Sequence, residues 1–275
     1  MEDRGMNRAC VGLLLLGFSQ ELVAAFQEGA PGPVAAGMGN ASVAVSGSLW
    51  GISANPSLLS ERRETSLSIT FSPHRFGLSE LAAGGLLHVC VTPVGVFGAT
   101  ISHTGFALYR EIVGSIAGGW QVLPGLQAGV SIRYFHLAIE GYGTDQAFGV
   151  QLGLLAILTT KLKLGFSASN LNSPVIGEGR ERLPQVYRTG ISFQPVSDLE
   201  IAIDLLKDIH YPLELHAGFQ YKFLSMLALR AGTAVEPSLF SAGVGMWFSD
   251  VSFDYAFTHH SVLGITHHLA LNIAL

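Results

Sequence analysis

From about Thr65 to Leu275, large apolar side chains recur at every second position in segment after segment, so the chain is written as strands whose two faces meet different surroundings. The stretch 251–258 shows the rule. Val251, Phe253, Tyr255 and Phe257 share one face, and Ser252, Asp254, Ala256 and Thr258 share the other. A bulky, aromatic face opposite a small or charged one suits a wall with lipid outside and a polar lumen within. Composition narrows the choice. Charged residues make up 13% of the 275 residues and hydrophobic residues 49%, whereas ordinary soluble domains carry about a quarter charged residues. Beyond the N-terminus no run of about 18 apolar residues is present to form a spanning helix. The spanning arrangement that remains is all-β: a closed, antiparallel, up-and-down transmembrane barrel.

Reading period-two segments between turn signals predicts about fourteen strands: 67–72, 81–91, 96–103, 107–120, 126–139, 147–158, 161–169, 187–194, 199–206, 213–222, 226–233, 239–248, 251–258 and 266–275. Many approach the roughly nine to eleven residues with which a tilted strand crosses a bilayer. Connections alternate as bacterial barrels require, tight at 92–95, 123–125, 159–160, 195–198, 223–225 and 249–250, and longest at 170–186 on the opposite end. An even count places both barrel termini on the short-turn, periplasmic side. Arg133, Lys163, Arg188, Asp204, Glu214, Lys222, Arg230 and Asp254 all fall on the small-residue face of their strands. On the lipid face a mid-bilayer Arg or Lys would cost about 2–4 kcal/mol, so the lumen is expected to be charged. Among these, Arg133, Arg188, Asp204, Arg230 and Asp254 lie near mid-height and are expected to form a mutually compensating network. In strand five the apolar phase slips from Ile132 and Tyr134 to Phe135, Leu137 and Ile139, which predicts a bulge or emergence from the membrane.

At the N-terminus Arg4 and Arg8 precede the apolar stretch 9–18, and Val23, Ala24 and Ala25 offer small residues where a signal peptidase reads. Residues 1–25 are expected to be a cleaved export signal, which addresses the chain to the outer membrane of a Gram-negative-type bacterium. Cys10 would leave with it, and Cys90 then has no intrachain partner, so no disulfide framework is possible. The formal charge of −5, with lysines and arginines scattered, gives no basic stripe and excludes nucleic acid as an expected partner.

Ten histidines invite a catalytic or metal reading. The adjacent pairs His259-His260 and His267-His268 point to opposite faces of a strand and read as polar rim residues rather than metal ligands. His88, His103, His136 and Ser102 carry no nucleophile motif, so no enzyme, cofactor or metal is expected. Gly84-Gly85 and Gly118-Gly119 lie within strand patterns and read as close-packing positions, not phosphate loops. Trp120, Tyr134, Tyr187, Tyr221, Trp247 and Tyr255 read as lipid-facing or interfacial aromatics.

The segment 35–45, with Gly37, Met38 and Gly39 at its turn, followed by Asn55, Pro56, Ser57 and Leu58, resembles the N-terminal signature of FadL-like outer-membrane barrels, and more closely their PorV/PorQ relatives. The element 263–269, Leu-Gly-Ile-Thr-His-His-Leu, resembles the last hairpin of that group. The acidic pair of the signature is replaced here by Ser46-Gly47-Ser48. The resemblance implies a fourteen-strand barrel over residues 63–275 whose segment 26–62 folds inward as a hatch, with Gly37, Met38, Gly39, Asn55 and Pro56 as its motif. It also implies one of two roles: passage of hydrophobic or small solutes across the outer membrane, or service as a component of type IX-type protein secretion. The corresponding partners are outer-membrane lipid with either a hydrophobic small molecule or secretion-system proteins.

Overall fold

A computed structural model describes Phe26, residues 32–177 and residues 180–275; the cleavage expected near Ala25 lies outside the described residues. Fourteen strands close into one antiparallel barrel. They are β1 (Ser66–Ser72), β2 (Ala83–Thr92), β3 (Gly95–Gly105), β4 (Tyr109–Leu123), β5 (Leu126–Ile139), β6 (Gly143–Thr159), β7 (Leu162–Ala168), β10 (Val186–Val196), β11 (Leu199–Asp208), β12 (Leu213–Leu224), β13 (Leu227–Val235), β14 (Leu239–Phe248), β15 (Val251–His260) and β16 (Gly264–Ala274). The two-residue strands β8 (Val175–Ile176) and β9 (Glu181–Arg182) pair with each other in the connection between β7 and β10. Closure comes from β1 lying against β16, from Ser66 opposite Ala274 to Phe71 opposite Leu269. Closure leaves no strand of the barrel at a free edge, which an open sheet could not avoid in lipid.

At one end every turn is short: residues 93–94, 124–125, 160–161, 197–198, 225–226 and 249–250. Four register shifts lie beside such turns, at Gln121/Leu123, Ile157/Thr159, Phe193/Val196 and Lys222/Leu224. The long connections 73–82 and 169–185 sit at the other end. Outward residues such as Ile69, Ile116, Ile132, Phe148, Leu205, Phe219 and Leu229 are exposed, while their inward neighbours are buried. An apolar belt that encircles the molecule exceeds by far the few hundred Å² that soluble monomers expose in one patch.

The bulge expected in β5 is absent. Pairing runs unbroken from Tyr109 opposite Ile139 to Gln121 opposite Gln127 on one side, and from Leu126 opposite Ala156 to Ile139 opposite Gly143 on the other. The backbone alternates without interruption, so Arg133, Phe135 and Leu137 all point inward. What changes along β5 is the lining of the lumen, which turns apolar toward the long-loop end. There Phe135 and Leu137 pack with Phe26, Ala147, Ile176 and Leu183. Trp247 also departs from expectation. It shares the inward phase of Ser241, Gly243 and Gly245 and sits half-buried over Arg230, 5.9 Å from guanidinium carbon to ring centre. Trp120, Tyr221 and Tyr255 keep the outward phase.

A fourteen-strand barrel is too wide for its own side chains to fill. Residues 32–62 occupy the space, with a short helix α1 (Pro33–Gly37) and 3-10 turns at Leu49–Ser53 and Pro56–Glu61. Met38, Ala41, Val43, Ala44 and Leu59 are wholly buried there. Glycines on the inner wall make the room. A Cβ on Gly218 or Gly232 would come within 2.3 or 2.2 Å of the Met38 backbone, and one on Gly129 within 2.4 Å of Pro56. Gly232→Val is therefore expected to unseat the segment. Limited proteolysis of the folded barrel should then cut within residues 32–62, whereas the wild type and Gly114→Val, where the nearest atoms stand 3.9 Å away, should stay protected.

Candidate functional site

The lumenal segment is held by side chains that reach it from distant strands. Gly39 takes a left-handed backbone, φ 66°, which its missing Cβ permits. Its N–H donates to Ser241 Oγ at 2.9 Å and its carbonyl accepts from His216 Nδ1 at 2.7 Å. Asn55 is fully buried and every polar atom of its amide is used. Its Nδ2 donates to the carbonyls of Val43 (2.7 Å) and Leu154 (3.0 Å), and its Oδ1 accepts from Ser57 N–H (3.1 Å) and Ser57 Oγ (2.7 Å). The second pair caps the turn that Pro56 begins. Gly37 packs against Arg230 and Gly243. The five motif residues thus all lie at contacts between the segment and the wall.

The five lumenal charges do not form one network. Arg230 donates through Nη1 to Asp254 Oδ1 at 2.7 Å and through Nε to Gln220 Oε1 at 2.6 Å. The other carboxylate oxygen of Asp254 accepts from Asn272, whose Oδ1 accepts from Ser68 Oγ, which in turn accepts from Trp50 Nε1. A continuous polar chain therefore ties the ring of Trp50 to a buried ion pair on β13 and β15. Asp204, 2% exposed, forms a second centre. Its Oδ2 accepts from the backbone N–H groups of Ser42 (2.6 Å) and Val43 (2.8 Å), with Arg188 beside it. Arg133 stands apart. Its guanidinium lies 5.0 Å from the centre of the Phe135 ring, and no carboxylate pairs with it among the described residues.

Sequence reasoning missed a third centre. Glu61 pairs with Lys163 and accepts from Ser46 Oγ, while Glu200 Oε1 accepts from Ser192 Oγ at 2.6 Å and from Ser46 N–H at 3.4 Å. The inward phase of Lys163 and Glu200 is legible in the strand pattern. Their common partner on the segment is not, because it follows from where the segment settles. Of the histidines, His216 holds Gly39, and His268 is buried between Ser72 and Thr258 at 3.2 Å from each hydroxyl. His88, His103, His136 and His267 lie on the outer face, with His267 hydrogen-bonded to the Tyr255 hydroxyl at 2.9 Å. No cluster of three or more potential metal ligands occurs among the described residues.

Three cavities follow one another along the lumen. One of about 450 Å³ opens at the long-loop end among Arg75, Phe76, Tyr211, Leu239, His260 and Leu263. An internal one of about 90 Å³ lies between the segment and strands β3 to β6. A third, about 380 Å³, opens at the short-turn end around Lys222, Arg230, Trp247 and Asp250. Asn40, Pro184 and Val186 border both the first and the second, and Gly32 and Trp50 border both the second and the third. These two groups are the partitions of the lumen. At the Trp50 partition contact is tight, since a Cβ on Gly32 would lie 2.4 Å from Trp50 Cβ.

The apolar cluster tops the internal cavity, which includes Phe26 and Val113 in its lining. The connection 169–185 supplies its lid. β7 pairs with β6 only as far as Leu152 opposite Ala168, so the rest of β6 lacks a strand partner on that side. The connection folds onto that edge through Leu171 N–H to the Val150 carbonyl (3.0 Å) and Asn172 Oδ1 to the Val150 N–H (3.0 Å), and it turns Ile176 and Leu183 inward.

No known family profile matches the chain, and no curated protein matches it. Solved structures do. The toluene transporter TbuX of Ralstonia pickettii is similar at a TM-score of 0.65 and 14% identity, covering 90% of this chain and 97% of its own. The toluene transporter TodX of Pseudomonas putida gives 0.63 and 16%, with 90% and 97% covered. A FadL homologue of Pseudomonas aeruginosa gives 0.62 and 12%, with 88% and 97% covered. The chain has the fold of these transporter barrels.

Proposed function

We propose that the protein is an outer-membrane conduit for small, mainly hydrophobic solutes, gated by the segment that occupies its lumen. The observation that carries this reading is the apolar cluster of Phe135, Leu137, Ala147, Ile176 and Leu183, against which Phe26 packs. It sits inside the barrel, below the long-loop end and directly above an internal cavity. Other inward apolar residues, such as Leu87, Val89, Val96 and Leu155, are covered by the lumenal segment, whereas this cluster stands over a cavity, and it serves no purpose in holding the wall in lipid. It supplies a place where a hydrophobic molecule leaves water. The partitions at Asn40 and Trp50 then lie on the way to the periplasmic end, and the lumenal segment contributes a residue to each. The toluene transporters that share the fold support the same class of cargo.

The secretion-partner role implied by the PorV/PorQ resemblance has less to rest on. Apart from 73–82 and 169–185, the connections at the long-loop end are three or four residues long and offer little docking surface. The conduit is tested in intact cells whose own hydrocarbon channels are deleted. Expression should raise uptake of labelled toluene several-fold over the empty vector, and Phe135→Asp should remove most of the gain while the barrel still runs faster unheated than boiled. Uptake equal to the vector would end this reading.

A further inference from the structure

Beneath the apolar cluster the lumen holds a guanidinium group that no carboxylate pairs with among the described residues. The internal cavity is lined by the guanidinium groups of Arg133 and Arg188, by hydroxyls that include Thr100, Ser102, Ser115 and Ser131, and by no aspartate or glutamate among the described residues. Arg188 has the carboxylates of Asp204 and Glu214 near it. Arg133 has the Phe135 ring for a neighbour and no carboxylate. A cation taken out of water without an anion is costly, and proteins leave one so placed where something else completes it.

The occupant's shape is indicated by the residue now in the pocket. Phe26 reaches the site from outside the wall and sets its ring edge-on to Phe135, with centroids 5.1 Å apart. It is itself a single aromatic ring. Below it the cavity of about 90 Å³ is smaller than the roughly 150 Å³ that admits a benzene molecule, so a ring-bearing ligand fits by taking the place of Phe26.

Polarity fixes the direction. Register places Arg133 opposite Ser115, Phe135 opposite Val113, and Leu137 opposite Glu111. The lining therefore runs from cation through an apolar band to acid over four residues, roughly 13 Å at strand rise. Glu111, which accepts from Phe26 N–H at 3.0 Å and from the Tyr109 hydroxyl, has Arg75 near it at the outer rim. An anion is repelled from the Glu111 level and drawn to the Arg133 level.

We infer that the lumen holds a binding site for a compact aromatic monocarboxylate, with its ring against Phe135 in the place of Phe26 and its carboxylate on the Arg133 guanidinium. This inference rests on the conduit reading and narrows its cargo. A charge-assisted guanidinium contact distinguishes the acid from the neutral hydrocarbon of the same shape. A second carboxylate at the far side of the ring meets Glu111, so the site rejects the dianion.

The test is calorimetric titration of the full-length protein, folded in detergent, with 4-methylbenzoate, terephthalate and toluene. In the wild type 4-methylbenzoate should bind at least tenfold more tightly than terephthalate. Arg133→Gln should weaken 4-methylbenzoate at least tenfold and leave toluene unchanged, Arg133→Lys should recover part of the loss, and Glu111→Gln should improve terephthalate. If Arg133→Gln does not reach a heat-modifiable fold, Arg133→Lys and the wild-type ligand order decide. Equal affinity for 4-methylbenzoate in wild type and Arg133→Gln would overturn the inference. So would toluene binding without 4-methylbenzoate binding, which would leave the conduit standing. Toluene uptake equal to the empty vector, measured separately, marks failure of the conduit itself.

Discussion

Removal of residues 32–59, with residues 1–31 retained, is expected to raise single-channel conductance at least several-fold in planar bilayers and to leave a closed barrel. The wall does not depend on the segment for its hydrogen bonds, because each of the fourteen strands is paired on both sides by its neighbours and β1 meets β16. The segment does contribute to both partitions, through Asn40 and Trp50. Once it is gone, the serines of β1, the glycines and the charged groups of the inner wall face an open lumen together with apolar residues such as Leu87, Val89 and Leu155, and a lumen of that width holds water. Trp50→Ala should give a smaller change in the same direction by opening one partition. A heat-modifiable deletion variant with wild-type conductance and toluene uptake would count against gating and shift weight to a structural or secretion role.

Asp204→Ala is expected to be the most damaging single substitution in the lumen. It leaves the N–H groups of Ser42 and Val43 buried without an acceptor, at about 1–3 kcal/mol each, and it strips Arg188 of a nearby anion. The temperature at which the compact form converts to the unfolded band on unboiled gels should fall clearly. Ser192→Ala should lower it less, because it removes one hydrogen bond from Glu200, which keeps the Ser46 N–H. Asp204→Asn, which retains an acceptor oxygen, should lie between them. Since the contact fixes the segment midway along its course, Asp204→Ala should also increase the frequency of channel openings. Equal transition temperatures for the alanine variants at 204 and 192 would mean that these N–H groups find water and that the lumen is solvated at that level.

The strands could be read from the sequence because alternation is a local property. A strand between lipid and lumen must put an apolar side chain outward at every second residue, and each tight turn restarts the count. The same local logic placed Arg133, Arg188, Asp204, Arg230 and Asp254 inward, and glycine and proline marked the turns at Gly39 and Pro56. It failed where the lumen itself becomes apolar. Phe135 and Leu137 break the expected polarity without any break in backbone pairing, and Trp247 follows the inward phase despite being aromatic. Polarity stands for direction only as long as the lumen is uniformly polar, and around Phe135, Leu137 and Trp247 it is not.

Barrel class, strand count and the end that carries the short turns were thus determined by the sequence itself, through period-two patterning and turn chemistry. Which inward groups meet was decided by the tertiary structure. Asp204 lies 162 residues from its partner Ser42, and Asn272 lies 204 from Ser68. Those distances along the chain collapse only when β1 closes on β16 and the segment settles against Gly218 and Gly232. Closure also separated the five charges into the Asp204 centre, the Arg230–Asp254 pair and a lone Arg133. Strand phase tells which side of the wall a charge occupies, and its position around the circumference depends on every strand at once.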